Sequence, residues 1–103
     1  MYPKHNYIRS PKLLKAVANL SCMKCGSEQM VQAAHTNWGF GKGRGIKADD
    51  NKIAALCLTC HYEIDQGSKL SKAERQEMWE KAHIKTVQTL IDRGEWPENV
   101  PLP

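Results

Sequence analysis

Cys22, Cys25, Cys57 and Cys60 form two Cys-x-x-Cys pairs separated by 31 residues. Each pair can occupy two corners of a tetrahedron, and thiolates are soft donors, so the spacing predicts one structural zinc ion held by all four. Thiols support other chemistries. Iron fits the same four-sulfur cage, and a redox pair of the thioredoxin kind needs only one Cys-x-x-Cys in a different setting. Disulfides need an oxidising compartment. The run Cys57-Leu-Thr-Cys60-His61 also matches the c-type haem attachment pattern, but that reading requires export and leaves Cys22 and Cys25 without a role. The N-terminal residues lead into no apolar run of signal-peptide length, and nothing approaches the roughly 20 apolar residues that span a bilayer. A soluble, reduced, cytoplasmic protein is therefore expected, with thiolates available for metal.

Two histidines accompany the cysteines. His35 lies between the pairs, and His61 follows the last cysteine directly, with Asp65 one helical turn beyond it. Imidazole as a residue type titrates near neutral pH and serves both as a general base and as a metal ligand. The segment after His35 carries Gly39, Gly41, Gly43 and Gly45 interleaved with Lys42, Arg44 and Lys47. Glycines allow close approach to a phosphate chain and the cations neutralise it. Trp38 and Phe40 are read as pinning this segment to the body, with base stacking as the alternative. Charge is one-sided: residues 1–47 hold eight Lys and Arg against the single acid Glu28, for +7, whereas residues 48–103 carry −3. A basic half of this kind suits a polyanion such as nucleic acid, and equally suits a solvated surface.

These residues need elements to position them. Ser10-Pro11 reads as a helix start, with Leu13, Leu14, Ala16, Val17 and Leu20 at helical spacing to about Asn19. Met30 to His35 and Ile53 to Leu56 read as short strands. A helix is expected from His61 to about Gln66, stopped by Gly67. Ser71-Lys-Ala-Glu74 is a capping-box pattern opening a helix over about 72–93, with Met78, Trp79, Ala82, Val87, Leu90 and Ile91 as its apolar stripe and Gly94 as its end. Pro97, Pro101 and Pro103 predict an extended tail over 95–103. With 103 residues, one domain is expected, small enough to benefit from a metal staple.

The order Cys-x-x-Cys, strand ending in His, glycine-rich loop, Asn, strand, Cys-x-x-Cys-His, helix resembles the HNH or ββα-metal endonucleases. The resemblance covers about residues 22–67 and looks closest to small nucleases carried by phages and prophages. These share the runs seen here as Ala34-His35, Gly45-Ile46-Lys47-Ala48-Asp49-Asp50 and Cys57 to Asp65. It implies an α+β fold: a zinc-stabilised ββα core with an N-terminal helix and a long C-terminal helix. It also implies DNA phosphodiester hydrolysis, with His35 as the general base, Asn51 holding that base, and His61 with Asp65 on a catalytic magnesium or manganese ion. Lys42, Arg44 and Lys47 would contact the nucleic acid. Two positions depart from the pattern. Ala34 stands where an acid or histidine commonly completes the catalytic metal site, so either another acid, Asp50 or Asp49, supplies that ligand or metal binding there is weak. Asn51 lies six residues before Cys57, where the family's asparagine usually lies five before. The alternative is a zinc-stabilised nucleic-acid-binding module without catalysis.

Overall fold

The computed structural model describes residues 8–36, 49–67 and 69–103. The glycine-rich segment with Trp38, Phe40, Lys42, Arg44 and Lys47 lies outside the described residues. The elements run in the order α1 (Pro11–Ala18), β1 (Val31–His35), β2 (Ile53–Cys57), α2 (Leu58–Gln66) and α3 (Lys72–Asp92). The result is a small α+β fold.

Local chemistry sets the helix starts. Ser10 is extended and its hydroxyl accepts the Leu13 N–H at 3.2 Å, while Pro11 takes the first helical position. Ser71 and Glu74 exchange both bonds of a capping box at the head of α3. At its foot, Gly94 adopts φ +70, and the Gly94 and Glu95 N–H groups return to Ile91 O and Leu90 O. That pair of bonds is a Schellman motif, which a residue with a Cβ would strain.

α2 begins three residues earlier than the sequence suggests. Cys57 is its N-cap, so β2 passes into α2 without a loop. The physical reason is the spacing itself: residues three apart share one helix face, so a helical first turn places Cys57 and Cys60 side by side.

The two strands pair antiparallel, with Val31 opposite Cys57 and His35 opposite Ile53. All five residues of β2 are buried, because both faces of the sheet are covered. On one face Ala34, Ala54 and Leu56 pack with Cys60, Ile64, Trp79 and Ala82. On the other, Ile53 and Ala55 pack with Leu13, Val17, Leu20, Leu90 and Val100. This explains an apolar run too continuous for a half-exposed strand.

α3 also closes the outer edge of β2 with side chains. Lys52 O accepts the Thr36 N–H of the other chain segment, so the next carbonyl, Ile53 O, points outward. It accepts from His83 Nδ1 at 2.6 Å, and the Ala55 N–H donates to Thr86 Oγ1 at 2.9 Å. Thr86 is fully buried and passes its own proton to Ala82 O. It takes the place in the stripe expected for Val87 and Ile91, since Trp79, Ala82, Thr86 and Leu90 keep one face whereas Ile91 is exposed.

The tail is not simply extended. Val100 N–H bonds back to Pro97 O, Trp96 Nε1 donates to Val100 O, and the Val100 side chain is buried against the α1 side of the sheet. Proline prevents helix but permits this turn.

Candidate metal centre and flanking histidines

Each cysteine pair is built by a different local device. At Cys22-Met-Lys-Cys25-Gly26 the chain turns back on itself: Cys22 N–H donates to Ser27 O, Gly26 N–H to Cys22 O, and Cys25 N–H reaches Cys22 Sγ at 3.5 Å. Gly26 sits at φ +82, a conformation that favours glycine. Met23 N–H then donates to Ala55 O, tying this turn to β2. The second pair rides on the start of α2, where unpaired helix N–H groups favour negative sulfur.

The four Sγ atoms lie within 4.8 Å of one another, and Cys25 and Cys57 sulfurs are 3.7 Å apart. Zinc–sulfur bonds of about 2.3 Å in a tetrahedron require sulfur–sulfur edges of about 3.8 Å, so the donor set fits zinc. The cysteines are all free rather than paired in disulfides. Burial opposes ionisation of the Cys22 thiol, but N–H groups of Cys25, Cys57 and Lys24 outweigh it and bring it down to about 6. Burial and the neighbouring sulfurs push the Cys60 thiol up. Three of the four thiols are buried and Cys25 is exposed, and a divalent cation would favour the ionised form of all four.

At the opposite end of the sheet, His35 Nε2 lies 2.9 Å from Asp50 Oδ1. Asp50 is 3% exposed, and its Oδ2 accepts the Ser10 N–H at 2.6 Å. A carboxylate only accepts, so in the neutral imidazole Nε2 is the donor and Nδ1 the acceptor. Asp50 thus engages His35, where the sequence suggests a ligand beside His61. The Asn51 amide donates to Pro101 O at 3.0 Å, and among the described residues no hydrogen bond joins it to His35.

His61 is built into α2. Its Nδ1 lies 2.8 Å from Gln32 Oε1 and its Nε2 3.1 Å from Asp65 Oδ2. Strand residues alternate between faces, so Gln32 and Ala34 share the α2 side while Ala33 and His35 share the α1 side. His35 and His61 therefore address opposite faces of the sheet and are not brought to one point. Ala34 is fully buried, and its carbonyl accepts from Trp79 Nε1 at 3.0 Å. Among the described residues, the four cysteines are the one group of three or more His, Cys, Asp and Glu ligand atoms close enough to share an ion. His61 and Asp65 are two donors, a partial set for magnesium, which is commonly held by one or two carboxylates plus substrate phosphate.

Sequence reasoning does not find Arg9, Gln32 or His83. Arg9 Nη1 stands 3.8 Å from Asp50 Oδ1. His83 stacks on Trp79 with ring centroids 4.7 Å apart. No spacing signal links these residues to the site, because each arrives through tertiary contact.

No helix among the described residues is long and apolar enough to cross a membrane. The chain matches no family model, no curated protein and no solved structure.

Proposed function

We propose that this protein is a zinc-stabilised endonuclease of the HNH type that hydrolyses DNA phosphodiester bonds. The observation that carries this reading is the His35–Asp50 pair at the end of β1. A buried carboxylate fixes the imidazole's tautomer and orientation, leaving Nδ1 to accept a proton. In the reaction, water attacks phosphorus and gives its proton to His35 Nδ1. A new P–O bond forms, the bond to the leaving sugar oxygen breaks, that oxygen takes a proton from solvent water, and the imidazolium returns its proton to solvent. The strand–strand–helix order of β1, β2 and α2, together with the sequence resemblance, supports the assignment. The cysteine-bound zinc is structural, since four thiolates leave no open position. Magnesium or manganese held by His61 and Asp65 would neutralise backbone phosphate charge on the other face of the sheet from His35; with two protein donors there among the described residues, no step is assigned to it. Lys42, Arg44 and Lys47, part of the basic first half of the sequence, would contact the DNA backbone.

The test is incubation of zinc-loaded protein with supercoiled plasmid and magnesium or manganese. Nicking or linearisation is expected, lost in His35→Ala. Cleavage that persists unchanged in that variant overturns the assigned base.

A second reading has one specific observation in its favour. With His35 and His61 on opposite faces and Ala34 sealed beneath Trp79, the fold also suits a nucleic-acid-binding module without catalysis. It expects salt-sensitive DNA binding and no cleavage with either divalent ion.

A further inference from the structure

We infer that Arg9 is a DNA phosphate-contacting residue of the His35 site, an inference that rests on the nucleic-acid reading above. The N-terminal segment is laced to the residues that support His35. Ile8 N–H donates to Asp49 Oδ1 at 3.1 Å, Asp50 N–H donates to Ile8 O at 2.9 Å, and Ser10 N–H donates to Asp50 Oδ2 at 2.6 Å. Arg9 is thereby fixed between two anchored neighbours. Its Nη1 bonds Ile8 O at 3.0 Å and stands 3.8 Å from Asp50 Oδ1, the same oxygen that His35 Nε2 engages. One carboxylate oxygen therefore positions both an imidazole and a guanidinium.

The two groups are complementary in kind. His35 Nδ1 offers a proton acceptor, and Arg9 offers a permanent cation whose planar fork matches phosphate oxygens. The Arg9 side chain is 42% exposed whereas that of Asp50 is 4% exposed, so solvent reaches the arginine side chain and not its anchor. Because both groups meet Asp50 Oδ1, a phosphodiester bound at Arg9 would lie close to the His35–Asp50 pair. The site would thus take its backbone contact from the N-terminal segment, 26 residues ahead of His35 in the chain.

The test uses the full zinc-loaded chain. Binding of a short labelled DNA duplex is followed by fluorescence anisotropy across a salt series, without added magnesium or manganese. Plasmid cleavage is then measured with manganese. Arg9→Ala is expected to weaken binding about tenfold and to make the slope of log K against log salt shallower by about 0.9, the release of one phosphate's counterions. Arg9→Lys is expected to keep the slope while losing part of the cleavage rate, since a point charge replaces a fork. Lys81→Ala, on an exposed turn of α3, serves as the control with unchanged slope. If Arg9→Ala does not fold, Arg9→Gln, which keeps a donor for Ile8 O without charge, carries the same comparison. A wild-type slope in the charge-removing variant overturns the inference, even if its melting temperature falls. Wild-type protein that binds but does not cleave, with the slope change present, refutes the nuclease reading and leaves the phosphate contact standing. Absence of any DNA binding by the wild type overturns both.

Discussion

The two ends of one short sheet carry two different kinds of site. At the Val31–Cys57 end, four sulfurs converge through two local devices, a glycine turn and a helix start, each using residues three apart. At the His35–Ile53 end, His35, Asp50, the Ser10 backbone and Arg9 converge from three separate stretches of chain, with His83 on the outward Ile53 carbonyl. The first end is bound by donor chemistry that would persist in a peptide. The second exists only when the whole fold is formed. The cysteine end should therefore decide whether the domain folds, and the histidine end what it does.

Removing zinc, or one of its ligands by Cys60→Ser, should have the largest effect. Structural zinc contributes apparent binding energies of about 10–16 kcal/mol in small peptides, more than the stability of most domains of this size. Elemental analysis should give one zinc per chain, and circular dichroism should show cooperative structure lost on chelation. A chelated protein that melts like the zinc-loaded one would refute the metal's structural role.

Asp50→Ala attacks the other end. It leaves His35 Nε2 and the Ser10 N–H without their acceptor, at a cost of about 2–4 kcal/mol. Zinc stoichiometry should stay at one. Loss of zinc in this variant would show that the two ends are not separable.

Thr86→Val keeps the shape and deletes the acceptor of the buried Ala55 N–H, which should cost about 1–3 kcal/mol in urea unfolding. No loss would mean that α3 closes the edge of β2 by packing alone.

The smallest effect is pH-dependent. Burial lowers the pKa of His83 below its usual 6.5, reinforced by Lys52 and opposed by the bond to Ile53 O and by Glu80. The folded state therefore prefers the neutral ring. This contribution is fully present above about pH 6.5 and is lost as pH falls from there through the lowered folded value. Thiolates at the metal also take up protons in acid, so the useful quantity is a difference. His83→Gln should lose less stability than the wild type between pH 7.5 and 5.5. Equal losses would refute His83's share.

What could be read in the sequence follows the same division. Ser10-Pro11, Ser71 with Glu74, and the cysteine pairs act through neighbours in the chain, so their roles are visible in spacing. Thr86 is invisible to a hydrophobic stripe because its hydroxyl is satisfied within the helix and across to β2. Asp50 sits next to Asn51, and spacing alone does not say which of the two turns toward His35. The structure chooses Asp50 because Ser10 arrives from α1 to share its carboxylate, a contact 40 residues distant in sequence. The start of α2 at Leu58 is hidden because Cys57 lacks the side-chain cap that usually marks a helix N-terminus.

Cys57 belongs at once to the strand, to the helix cap and to the metal cluster. A two-stranded sheet of five residue pairs has little of its own to fix its alignment, and a slip of one residue would exchange its faces. Such a slip would move His35 to the α2 side and Gln32 to the α1 side. A metal held by Cys57 and by Cys22 and Cys25, which lie shortly ahead of β1, would tie both strands to one point and oppose that exchange. The zinc would then act as an index mark, setting from the far end of the sheet which face of β1 His35 takes.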